Sequence, residues 1–146
     1  MAFNNPYQQY QESSVITASK GKLLLMTYDG AIRFIRQGQV HMAAKAYEQQ
    51  NTCILKAQRL LLELIYTLDK RPDPDLAQRL TQLYEYMFNR LVEANINDNM
   101  PALEEVLTHL GNLRSAWAEA DRELNGAPAV GVQPVPMMGE RYAVAA

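Results

Sequence analysis

The sequence predicts an all-α fold: an antiparallel four-helix bundle with a short N-terminal helical arm and a disordered C-terminal tail. Three observations carry that prediction. Apolar residues recur at intervals of three and four through most of the chain. Proline-bearing punctuation at Asp73-Pro74 and at Asn99-Met100-Pro101 separates the later segments. The connections between segments are mostly short, which brings consecutive helices side by side and antiparallel. Residues 1–16 read as the arm, 17–125 as the bundle and 126–146 as the tail.

Taken in order, the arm carries Asn5 as a cap, Pro6 at a first helical position and Gln8 where a capping box would place it. Phe3, Tyr7 and Tyr10 give this polar stretch an aromatic stripe. Thr17 or Ser19 is expected to cap the first long helix, which runs to about Met42. Leu24, Ala31, Phe34, Ile35, Gly38 and Met42 form its core face. Gly30 and Gly38 lower helix propensity, so a close approach of another helix is the expected reason for them.

The second helix is expected over Ala43 to Asp69, with Tyr47, Ile54, Ala57, Leu61, Leu64, Ile65 and Leu68 inward and a weakly marked start. Lys70 and Arg71 suit a helix end, and Asp73-Pro74 suits the next beginning. The third helix then presents Leu76, Leu80, Leu83, Tyr84, Met87, Leu91 and Ala94. Asn95 to Asn99 makes a turn, with Asp98 or Asn99 capping the fourth helix. That helix has the most regular pattern, from Leu103 through Leu110 and Trp117 to Leu124, and Asn125-Gly126 closes it. Beyond it the composition turns to Pro, Gly, Ala and Val without periodicity, with Met137, Met138 and Tyr142 as the large apolar residues.

Bulk properties narrow the function classes. The chain has 146 residues, a formal net charge of −2 and no block of like charges, so a nucleic-acid footprint is not expected. One cysteine, Cys53, forms no intrachain disulfide and suits a reducing, cytoplasmic setting. The N-terminus lacks signal-peptide features, and no apolar run reaches the ~20 residues of a membrane span, so membrane insertion is not expected.

The informative feature is surplus apolar surface. A core-facing helix needs one stripe on the order of 100° wide. Leu55, Leu62 and Tyr66 make a second stripe on helix two, roughly 120° from the Ile54/Leu61/Leu68 face. Phe88, Val92 and Ile96 leave the main face of helix three at successive i+4 steps, and helix one adds Leu25 and Ile32. Such a surplus has three outlets: a wider core, a homodimer, or a groove for an amphipathic partner helix. Tyr7 and Tyr10 then either cover that groove when it is empty or belong to a permanently packed terminal helix.

Chemistry is not found. His41 and His109 are the two histidines, and Glu105 lies four residues before His109, not in the Glu-x-x-His spacing of di-iron bundles. Asp69, Asp73 and Asp75 faintly suggest a calcium loop, but Pro72, Pro74 and the missing central glycine oppose it. No glycine-rich phosphate loop is present. No enzyme activity, cofactor or metal is expected.

The residues do resemble a known family. Asn5-Pro-Tyr-Gln-Gln-Tyr10, Leu23-Leu-Leu-Met-Thr-Tyr-Asp-Gly-Ala-Ile-Arg-Phe34, Lys56-Ala-Gln58, Arg90-Leu-Val-Glu-Ala-Asn95 and Leu103-Glu-Glu-Val106, with Trp117 following, resemble FliS, the flagellar secretion chaperones, over about Asn5 to Trp117. The resemblance implies a helical bundle that binds the disordered C-terminal segment of flagellin, prevents premature polymerisation and presents the cargo to the cytoplasmic domain of the export gate. It also implies that Tyr7 to Tyr10 lie near the cargo site. Joined to the surplus stripes, which come from helical geometry and not from the resemblance, this gives the expected partner-binding set Tyr7, Tyr10, Leu25, Ile32, Leu55, Leu62, Tyr66, Phe88, Val92 and Ile96. The competing reading is a homodimeric scaffold with no chaperone role.

Overall fold

A computed structural model describes residues 20–125, and Tyr7, Tyr10, the arm helix, the caps at Thr17 or Ser19 and the tail lie outside the described residues. Within them the chain forms helices α1 (Lys20–Ala43), α2 (Tyr47–Thr67), α3 (Pro74–Asn97) and α4 (Met100–Asn125). The fold is all-α, as the periodicity predicts. No described helix is long and apolar enough to cross a membrane.

The helix boundaries follow from local chemistry. Asp73 caps α3 by accepting the Leu76 amide at 3.1 Å, and Pro74 fills a position whose own N–H would have no partner. Two neighbouring residues share the next turn. Asp98 ends α3 in the left-handed region at φ 51°, where a short polar side chain is tolerated, while Asn99 accepts the Ala102 amide at 3.1 Å and starts α4.

The break between α1 and α2 falls at residues 44–46, later than the sequence suggests. Lys45 sits at φ 58°, and the Ala46 amide reaches back to the His41 carbonyl at 2.8 Å while Lys45 bonds Met42. This is a Schellman-type end built without glycine, and so it leaves no sequence signal.

The described residues divide into two compact units. Thr27–Arg114 form one; the described part of the other comprises 20–26 and 115–125. In the smaller unit Gly21 lies against Asp121, so closely that a β-carbon on Gly21 would collide with the carboxylate. In the larger unit Gly30 packs on Leu60 and Gly38 on Ile54, where added β-carbons would come within 3.0 and 3.1 Å. Residue numbers rise on α1 as they fall on α2, so the two run antiparallel, and the glycines provide the close approach anticipated for them.

Ile35, Ile54, Leu61, Met87, Leu91, Leu103, Val106 and Leu110 are completely buried. Each contributes about 1.5–3 kcal/mol relative to exposure, upper estimates given a partly collapsed unfolded chain. Tyr28 and Tyr84 are also buried, and their hydroxyls meet at 2.6 Å across α1 and α3. Tyr47, Leu76 and Leu124, expected inward, are exposed at helix ends, where the apolar pattern outruns the packed layers.

Candidate functional site

The side-chain contacts between helices establish which face of each helix is covered, and hence which face is left over. On α2, Cys53, Ile54 and Leu60 meet the glycines of α1. On the other side Gln50 Nε2 donates to Asn95 Oδ1 at 3.1 Å and Asp98 Oδ1 at 3.0 Å, and Asn95 donates to Asn51 at 2.7 Å. Gln50 is 1% exposed, so this clip fixes the register of α2 against α3. Arg90 and Tyr86, on the far side of α3, reach Glu105 of α4. The two middle helices, α2 and α3, thus have an assigned neighbour on each flank.

Stepping about 100° per residue, Leu55, Leu62 and Tyr66 lie roughly 20–60° beyond Asn51, on the outer lip of the α2–α3 seam. Phe88, Val92 and Ile96 fall on the flank of α3 that carries Asn95 and faces α2. The two surplus stripes therefore border one seam. Tyr66 is 79% and Ile96 73% exposed, Leu55 is exposed at 37%, and Leu62, Phe88 and Val92 are half-buried. By helix position, the half-buried Leu62, Phe88 and Val92 and the exposed Leu55, Tyr66 and Ile96 all lie on the flanks of α2 and α3 next to this seam.

The α1 members of the expected set do not join it. Leu25 is a correction: at 8% exposure it is a core residue, because its i+3 neighbour Tyr28 and i+10 neighbour Ile35 extend the buried face of α1 to include it. Ile32 is half-buried and lines a separate recess on α1.

Polar groups around the bundle are structural. Glu105 accepts from the Tyr86 hydroxyl, from Arg90 Nε at 2.9 Å, and lies 3.4 Å from His109 Nε2. The Tyr86 hydrogen bond first, then Arg90 and His109, hold the Glu105 carboxyl below its usual range, and the same bond pushes the Tyr86 hydroxyl up. Arg90 also pairs with Glu93 at 2.8 Å. Phe34 lies beneath two cations, with Arg33 at 5.1 Å and Lys56 at 5.4 Å from its ring centre. Sequence reasoning missed the Gln50 clip, the tyrosine pair and the Asp29–Arg114 ion pair at 2.6 Å. Tyr84 lay on the apolar face read for helix three, and Tyr28 carried a signal too, three residues before Ala31 and seven before Ile35, but nothing local joins the two.

Comparison with known proteins now decides the family. The model of the family described as "Flagellar protein FliS" matches residues 3–124. The chain belongs to the FliS family. It is 38% identical over 120 residues to the flagellar secretion chaperone FliS of Bacillus subtilis (strain 168), covering 82% of this chain and 89% of that one. To the Salmonella typhimurium chaperone of the same name it is 34% identical over 118 residues, covering 74% and 81%. The Escherichia coli (strain K12) chaperone is 31% identical over 110 residues, covering 75% and 81%. FliS proteins are flagellar secretion chaperones and not enzymes. In this FliS-family chain, the motif around Tyr28-Asp29-Gly30 serves packing: Tyr28 bonds Tyr84, Asp29 bonds Arg114, and Gly30 admits Leu60.

Proposed function

We propose that this protein holds the C-terminal segment of flagellin in the cytoplasm, docking an amphipathic stretch of it on the α2–α3 seam, preventing premature polymerisation and delivering it to the cytoplasmic domain of the export gate. The observation that carries the reading is the apolar strip of Leu55, Leu62, Tyr66, Phe88, Val92 and Ile96. Ordering a disordered guest costs ~2–5 kcal/mol. Covering the exposed Leu55, Tyr66 and Ile96 returns on the order of 5 kcal/mol, and the half-buried trio adds a smaller increment. The strip thus returns about as much as the ordering costs, so the net affinity also draws on further contacts of the cargo with the bundle.

Titration calorimetry with a peptide from the C-terminus of the cognate flagellin is the test. The expected result is one-to-one binding with a negative heat-capacity change, as apolar burial requires. Ile96→Asp, at an exposed position, should weaken binding about tenfold or more by leaving a desolvated charge in the contact, without altering helix content. Absence of heat at several temperatures, together with a concentration-dependent dimer in sedimentation that ignores the peptide, would transfer the strip to a homodimer.

A further inference from the structure

The outer face of α1 mixes exposed apolar side chains with cations. Leu23 is 54%, Met26 64% and Val40 66% exposed, and Lys22, Arg33 and Arg36 are exposed among them. At about 100° per residue they share an arc of roughly 140°, nearly opposite the buried Tyr28, Ala31 and Ile35. The stripe is therefore a ridge, and it runs about 27 Å along the helix axis from Lys22 to Val40.

The charges on and beside this ridge leave it cationic. Asp29 is the sole carboxylate on α1, and Arg114 holds both its oxygens, at 2.6 and 3.2 Å. At the α4 edge Glu104, which accepts from Gln39 Nε2 at 2.7 Å, offsets Arg36. On α2, Arg59 and Glu63 offset each other one turn apart. Arg33 and Lys56 both lie against the Phe34 ring, 5.1 and 5.4 Å from its centre, a contact that leaves their charges in place. Among the described residues no ion pair joins a carboxylate to Lys22, Arg33 or Lys56. The whole chain carries a formal charge of −2, so attraction to an anionic surface has to come from this face and not from bulk charge.

We propose that the outer face of α1 docks on the surface of an anionic lipid bilayer, with Lys22, Arg33 and Lys56 against the headgroups and Leu23, Met26 and Val40 in the shallow apolar boundary beneath them. A basic helix face with interleaved apolar side chains lies along a bilayer and does not span it. A ridge meets a plane along its whole length, whereas a guest helix needs a groove. A nucleic-acid backbone would answer the cations but leave the apolar side chains in water. The face shares no residue with the cargo strip and does not rest on the cargo reading.

The test is co-sedimentation of the full chain with vesicles of phosphatidylcholine alone and with vesicles of an equal mixture of phosphatidylcholine and phosphatidylglycerol. Binding to the mixed vesicles only is expected, and it should fall as salt rises. Arg33→Gln and Lys56→Gln should each weaken it about fivefold, the share of one cation close to an anionic surface. Ile96→Asp should leave it unchanged. Val40→Trp reports on the apolar side chains: its emission should shift to the blue when mixed vesicles are added, beyond any shift of Trp117 in the parent chain. No binding to the mixed vesicles, equal binding to the neutral ones, indifference to both glutamine variants, or an unshifted Val40→Trp emission with vesicles in excess would overturn the proposal. So would equally tight binding of a single-stranded oligonucleotide through the same cations. Arg33, Val40 and Lys56 are exposed, so circular dichroism should show wild-type helix content in the variants.

Discussion

Tyr28 and Tyr84 show how a buried polar pair shapes a helical core. Two phenol hydroxyls, both buried, meet at 2.6 Å between α1 and α3. Removing one hydroxyl breaks this buried bond, at a cost of about 1–3 kcal/mol. Each single variant already breaks the shared bond, so a double-mutant cycle with Tyr28→Phe and Tyr84→Phe should give a double variant less destabilised than the two singles summed. Strict additivity in denaturant titrations would show that the hydroxyls do not depend on one another. Glu105 makes a second residue-scale prediction. Its carboxyl titrates below the ordinary range because Tyr86, Arg90 and His109 favour the ionised form. The stability this supplies is fully present above the ordinary glutamate pKa of about 4.3 and is lost as pH falls through the lower folded value. Glu105→Gln should therefore flatten the acid limb of a plot of melting temperature against pH; an unchanged limb would count against the coupling.

At the scale of elements, the close pairing of α1 and α2 depends on two glycines. Gly38 faces Ile54 with space for barely a β-carbon. Gly38→Val adds branched bulk there, forcing Ile54 or the helix axes apart, and should cost about 1–3 kcal/mol despite valine's better helix propensity. Thermal unfolding of the variant tests this, and an unchanged melting temperature would mean that the helices are not held together at that point. Elements were legible where chemistry is local. Asp73-Pro74 and Asn99 are capping signals that act within a single turn, and the structure uses them as such. The start of α2 was not legible, because its preceding turn rests on Lys45 adopting a left-handed conformation that its side chain does nothing to announce. The surplus stripes of α2 and α3 were readable as stripes, since helical geometry alone displaces them from the core face. That they border the same seam was not readable, because it depends on Gln50 meeting Asn95 and Asp98, a pairing of distant residues. Leu25 was misassigned for the complementary reason: the buried face of α1 is wider than one stripe, and Leu25 is inside it.

For the whole molecule, the proposed function divides the surface between side chains that hold the bundle together and side chains left to meet cargo. Core layers of leucine, isoleucine and methionine hold the helices, while side chains at the lip of one seam remain available. A chaperone that must release its cargo benefits from such a strip, because half-buried anchors return less energy on binding than a deep cavity would. Methyl-resolved NMR of the full chain during titration with the C-terminal flagellin peptide tests this most directly. The account predicts shifts concentrated on Leu55, Leu62, Val92 and Ile96, with Leu25 and Leu110 little affected. Shifts centred elsewhere on the protein, with the methyl groups of these four residues unmoved at saturation, would contradict it.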